Sequence, residues 1–215
     1  MKKVLFLSFL ITSIIYTITI ANKLFNIPQD KIDAVKKKYG NSVEQRFEIW
    51  DRVLESAKKK DILHKLKDVN DFWNKVAYKT DPVHWKKRDY WASPFEFLGT
   101  GAGDCEDYAI AKYFSLRQLG VPDSKLRITY VKLKTRGSRF DQAHMVLTYY
   151  HKPDSTPIVL DNIDKRLKLA TKRVDLTPVY SFNASGLWQA KNKGRTSIRV
   201  GENNLSNWKS LMTRI

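Results

Sequence analysis

The 215-residue chain has one cysteine, and one thiol cannot close a disulfide within its own chain. A disulfide scaffold and a Cys-rich zinc module are therefore excluded. Acidic residues are also scarce: 22 Asp and Glu stand against 39 Lys and Arg, a formal charge of +17. That imbalance favours acidic partners, whether nucleic acid, an anionic membrane surface or an acidic protein, and by itself does not choose among them. No internal repeat or low-complexity stretch is present. Apolar content is not lacking: at 42% hydrophobic and 12% aromatic the chain can build a core, which excludes wholesale disorder. The length suits one domain, or one domain with a small helical attachment.

Long hydrophobic runs are confined to the start. Met1-Lys2-Lys3 is a short positive opening, Val4 to Ile20 is nearly unbroken apolar or hydroxyl sequence, and Thr19 and Ala21 make a small-residue cleavage pattern. Residues 1–21 are expected to be a secretory signal peptide. The alternative is an uncleaved N-terminal anchor, for which a 17-residue run is at the short limit. Either way the rest is exported, and a mature chain without Lys2 and Lys3 carries +15. Export argues against nucleic acid as a partner. It also sharpens the meaning of the lone cysteine, because an oxidising compartment penalises an idle exposed thiol.

Asn22 to Lys38 is polar and basic and reads as a short leader within a segment 22–89 that is otherwise helical. Val43, Phe47, Trp50, Leu54 and Ala57 recur at spacings of three and four, and Ile62, Leu66, Val69, Trp73 and Val76 repeat the pattern. Their aromatics are expected to be core rather than ligand-binding. Asn41 and Glu44 suggest a capping pair. Ser93-Pro94-Phe95-Glu96 opens a short helix reaching Leu98. Gly99 to Gly103 then breaks the chain, and a helix restarts at Asp104 and runs to about Leu119, ended by Gly120 and Pro122. Beyond it, Leu126 to Val131, Ala143 to Tyr150, Ile158 to Leu160 and Ile198 to Val200 read as successive antiparallel strands. Helices first and strands after give an α+β class, with helices packed on one face of an antiparallel sheet and residues 90–215 forming one domain with the helices.

Cys105 follows the glycine break and opens a helix, where the helix dipole and free N–H groups favour a thiolate and can stabilise an oxyanion. The blander alternative is a small buried hydrophobe. Of four histidines, His144 alone lies inside an expected strand, which would hold an imidazole rigidly as a general base. Asp161 ends the run Ile158-Val159-Leu160 and could orient that base, although a turn aspartate is common there.

Gly103-Asp104-Cys105-Glu106-Asp107-Tyr108-Ala109, Ala143-His144-Met145-Val146-Leu147 and Val159-Leu160-Asp161-Asn162 resemble the three blocks of the bacterial transglutaminase-like cysteine proteinases, whose best-known members are the LapG-type periplasmic proteases. Trp91 to Glu96 and Val179 to Asn183 resemble flanking segments, so the resemblance runs from about Tyr90 to Trp188. It implies a papain-like or transglutaminase-like core with Cys105 as nucleophile, His144 as base and Asp161 as orienter. It further implies a periplasmic, calcium-dependent endopeptidase that cleaves the N-terminal region of a large surface adhesin near an Ala-Ala site and so disperses biofilm. Restraint would come from an inner-membrane cyclic di-GMP receptor of the LapD type, and nucleic acid would play no part.

Asp104, Glu106 and Asp107 correspond to the acidic residues that flank the family's nucleophile and are the expected calcium ligands. Capping alone would also select acids at this helix start. Three carboxylates beside a thiol oppose its ionisation, however, and a hard cation would relieve them. Two rivals to the protease remain open on the sequence: a transglutaminase-type acyltransferase with the same triad, and a non-catalytic binding module on the same fold. Arg166, Lys168, Lys172 and Arg173 form a basic stretch expected to be a solvated face, with electrostatic steering as the alternative.

Overall fold

The computed structural model describes residues 29–191 and 196–215; the expected signal segment and the start of the leader lie outside the described residues. From Gln29 the leader is a helix, α1 (Gln29–Tyr39), because Ile32, Val35 and Tyr39 give it an apolar edge that packs on the core. It is followed by α2 (Val43–Ala57) and α3 (Ile62–Trp73). All five residues of the expected α2 face are buried, as are Leu66, Val69 and Trp73 of α3. The Asn41–Glu44 capping pair does not form. Instead α2 begins at Val43 without a side-chain cap, and Glu44 pairs with Lys36 of α1 at 2.6 Å.

The aromatics of these helices are core, as expected. Trp50 meets Trp73 edge-on at 5.3 Å, and Trp73 stacks on Phe97 at 5.4 Å. Ser115 accepts hydrogen bonds from both buried indoles, Trp50 Nε1 at 3.1 Å and Trp73 Nε1 at 2.8 Å. An indole N–H needs an acceptor once it leaves water, and one hydroxyl provides it twice.

Next come β1 (Ala77–Tyr78), α4 (Asp81–His84), α5 (Pro94–Thr100), β2 (Ala102–Gly103) and α6 (Cys105–Gln118). α5 carries the expected capping box between Ser93 and Glu96. It runs to Thr100, two residues beyond the expected end, and stops at Gly101, whose φ of 71° suits glycine. β1 pairs in parallel with β2, placing Tyr78 opposite Gly103 at the edge of the nucleophile turn.

A seven-stranded antiparallel sheet completes the fold: β3 (Leu126–Leu133), β4 (Gln142–Tyr149), β5 (Ile158–Leu160), β6 (Lys168–Leu169), β7 (Leu176–Phe182), β8 (Leu187–Lys191) and β9 (Thr196–Gly201), in the order β6-β5-β4-β3-β7-β8-β9. A last helix, α7 (Ser206–Met212), buries Trp208 and Leu211. Met145, Leu147 and Tyr149 on one face of β4 join the main core with α6, while Val146 packs with Val131 and Val159 on the other face. Helices and sheet share one continuous core, the α+β arrangement expected from the order of periodicities. Among the described residues no helix is long and apolar enough to cross a membrane.

Candidate active site

Three elements converge at the glycine break. The turn Gly101-Ala102-Gly103 has no room for a side chain at Gly103: a Cβ there would lie 2.3 Å from Asp107 Oδ2 and 2.7 Å from Phe97 Cδ2. Fully buried Asp107 is the strut of this turn. Its Oδ1 accepts the Ala92 N–H at 2.7 Å and its Oδ2 accepts the Asp104 N–H at 3.2 Å, which fixes the residue before the thiol. Cys105 is therefore held at the first position of α6, as the sequence suggests.

The Cys105 Sγ lies beside β4, where the Met145 N–H points to it, and its own proton is directed to Glu106 Oε2 at 3.0 Å. Burial, with the negative charge of Glu106 and Asp104, pushes the thiol well above its ordinary value of 9.0.

His144, next to Met145 on β4, is buried and bonded through Nε2 to Asp161 Oδ1 at 2.8 Å. Strand pairing brings them together: Leu160 pairs with Leu147, so the residue after β5 falls beside the start of β4. A carboxylate only accepts, so Nε2 carries the proton and Nδ1 keeps its lone pair. Burial alone would raise the Asp161 carboxyl. The His144 hydrogen bond, the charge the ring carries once it is protonated, the Ile163 N–H and Arg173 outweigh burial and hold it well below the usual carboxylate range. The Asn74 side chain donates to the Asp161 carbonyl at 2.9 Å, anchoring this corner to the end of α3.

Arg173 was expected in a solvated basic stretch and is instead 3% exposed, with Nη1 2.8 Å from Asp161 Oδ2. Of its expected companions, Arg166 and Lys168 are both tied to Asp164, which leaves Lys172 on the surface. The stretch is thus no continuous free patch, because local ion pairs and one buried carboxylate take most of its charge.

The expected metal ligands Asp104, Glu106 and Asp107 lie in a larger acidic cluster. Oxygens of Asp81, Asp104 and Asp107 fall within 4.8 Å of one another, as do those of Asp81, Asp89 and Glu106. Asp81 and Asp89 were not singled out in the sequence. Their only signal was two acids in an otherwise basic, aromatic stretch, and contact with Asp104 comes from the β1–β2 pairing. The cluster suits a hard cation. Asp81 Oδ1 and Asp104 Oδ1 are buried without hydrogen-bond partners. Burial pushes Asp81 up to about 6, and burial with Glu106 pushes Asp104 up to about 8. Burial likewise raises Glu106 and, helped by Asp104, raises Asp107. Carboxylates crowded out of water without counter-charge are what an oxygen-seeking cation stabilises.

A family model described as bacterial transglutaminase-like cysteine proteinase matches residues 41–188. Three solved structures of Legionella pneumophila LapG are similar to this chain. The EGTA-treated form is 44% identical with a TM-score of 0.75, covering 87% of this chain and 97% of that one. LapG without a stated treatment is 43% identical at 0.74, covering 87% and 96%. The calcium-bound form is 43% identical at 0.73, covering 87% and 99%. No curated protein matches the sequence. The expected papain-like core is the fold of these relatives, the similarity extends through the helices as well as the nucleophile turn, and this chain belongs to the bacterial transglutaminase-like cysteine proteinases.

Proposed function

We infer that the protein is a calcium-dependent periplasmic cysteine endopeptidase in which Cys105 is the nucleophile, His144 the base and Asp161 its orienter. The observation carrying this reading is the buried His144 Nε2–Asp161 Oδ1 bond, whose histidine immediately precedes the residue that meets the thiol. His144 Nδ1 takes the Cys105 proton as the sulfur attacks a peptide carbonyl carbon. First-turn N–H groups of α6 face the developing oxyanion. As the tetrahedral species collapses, the C–N bond breaks and His144 returns the proton to the leaving amine. Water, deprotonated by the same nitrogen, then hydrolyses the thioester and regenerates the thiol. Asp161 keeps one tautomer in place throughout.

Asp81, Asp89, Asp104, Glu106 and Asp107 are the residues that would hold calcium, and the calcium-bound form of the Legionella protein supports calcium as the ion. Calcium supplies positive charge against carboxylates that otherwise keep the thiol protonated. The substrate we propose is the N-terminal region of a large surface adhesin, cut near an Ala-Ala site and releasing biofilm, with inhibition by an inner-membrane cyclic di-GMP receptor of the LapD type.

The test is incubation of the purified protein with such an adhesin fragment, with calcium or with EGTA. Cleavage should require calcium and vanish in Cys105→Ala and His144→Ala, while Asp161→Ala retains some turnover. Cleavage by a folded Cys105→Ala protein refutes the mechanism. Cross-linking to an added amine in place of hydrolysis would make the enzyme a transglutaminase.

A further inference from the structure

We propose that Arg173 is a positioning residue for the His144–Asp161 pair, holding the second carboxylate oxygen so that the first stays presented to the imidazole. This rests on the reading of His144 as the base and Asp161 as its orienter. The backbone of Arg173 is fixed on both sides: its N–H donates to Ala170 O at 3.0 Å, and its carbonyl accepts from Leu176 N at 3.0 Å. Asp175 then grips the guanidinium from two sides, Oδ1 at 3.0 Å from Nε and Oδ2 at 2.7 Å from Nη2. This bidentate grip sets the plane of the guanidinium and leaves Nη1 2.8 Å from Asp161 Oδ2, a close ion pair rather than an aligned hydrogen bond.

Asp161 Oδ1 already receives His144 Nε2 at 2.8 Å and the Ile163 N–H at 3.1 Å. With Arg173 on Oδ2, neither oxygen is free to exchange places with the other. A carboxylate held on one oxygen alone can turn about its last side-chain bond, and the ring would turn with it. The Arg173–Asp161 pair is almost fully excluded from water, so its attraction is poorly screened. Asp175 is more exposed, its side chain at 37%, and anchors the chain of contacts at the surface.

The experiment compares Arg173→Met, Arg173→Lys and Asp175→Asn in the full calcium-loaded chain by two readouts. The first is the proton NMR signal of the hydrogen-bonded His144 Nε2–H, which needs no substrate. The second is kcat and KM on a peptide containing an Ala-Ala bond. Arg173→Met should lose the downfield ring signal to solvent exchange, with kcat falling about 10- to 100-fold and KM within about twofold. Arg173→Lys should recover the signal and much of kcat. Asp175→Asn, which loosens the guanidinium without removing it, should fall between; it also serves if Arg173→Met does not fold. An unchanged ring signal and kcat in folded Arg173→Met, or in Asp175→Asn if only that variant folds, overturns the proposal. Full activity in His144→Ala instead overturns the triad on which it rests, so the two failures are told apart.

Discussion

Replacing Lys112 with methionine should stabilise the protein at neutral pH. Lys112 is fully buried on α6, and its Nζ has no hydrogen-bond partner; the Tyr108 ring lies 5.8 Å away. Burial lowers it from 10.5 to about 7, against the opposing pull of Asp161 and Asp71. Between those values the unfolded chain binds the extra proton, so stability rises with pH across the window, and the penalty is fully present below pH 7. The full drop corresponds to a ceiling of about 5 kcal/mol. Relaxation and water penetration reduce such ceilings, so about 2–4 kcal/mol is expected. Methionine fills nearly the same volume without a charge, and Asp161 keeps both His144 and Arg173. Urea unfolding of wild type and variant at pH 6, 7, 9 and 10.5 reads the effect as a shift in midpoint at constant slope. The variant should lead at pH 6 and 7, with the gap closing toward pH 10.5. A variant less stable at pH 6, or a gap that ignores pH, refutes the reasoning, because burial of an unpaired ammonium would then not set the energetics of this site.

Gly103→Ala should destabilise by about 2–5 kcal/mol, combining overpacking with a weakened Asp107–Asp104 hydrogen bond. Its thermal midpoint should fall and thiol labelling at Cys105 should change; a protein as stable as wild type would contradict the crowding described. Ser115→Ala should cost about 1–3 kcal/mol for each of the two indole N–H groups left unpaired, read by denaturant unfolding. In EGTA, stability should decline as pH rises from about 4 to about 8, because Asp81 and Asp104 are raised and the folded state holds the extra protons in that window. Calcium should restore the melting temperature at pH 8, and Asp104→Asn should flatten the decline; a calcium-insensitive melting curve would leave the acids as caps alone.

Local patterns in the chain were enough for a helical first half and a strand-rich second half, the buried faces of α2 and α3, and the α5 capping box, because periodicity and capping act within a few residues; they did not mark β6, β7, β8 or the closing helix α7. The place of Cys105 at a helix start was legible for the same reason: glycines and an acid adjoin it. His144 stood out as the histidine inside an expected strand, and Asp161 as the carboxylate ending another. Their 2.8 Å contact depended on strand pairing, which joins residues 17 apart in sequence. Sequence composition misled where charge was read as exposure. Arg173 looked like one cation in a basic surface stretch, yet the buried carboxylate of Asp161, just past the end of β5, draws it inward. Asp81 and Asp89 carried no local sign of belonging with Asp104 and Glu106, since a two-residue parallel pairing of β1 with β2 brings their segment to the nucleophile turn. The sequence thus determined which local elements form and which side chains are available for chemistry. Tertiary structure decided which charges meet, because the energy of a charge depends on the groups that replace its water, and those groups come from distant parts of the chain.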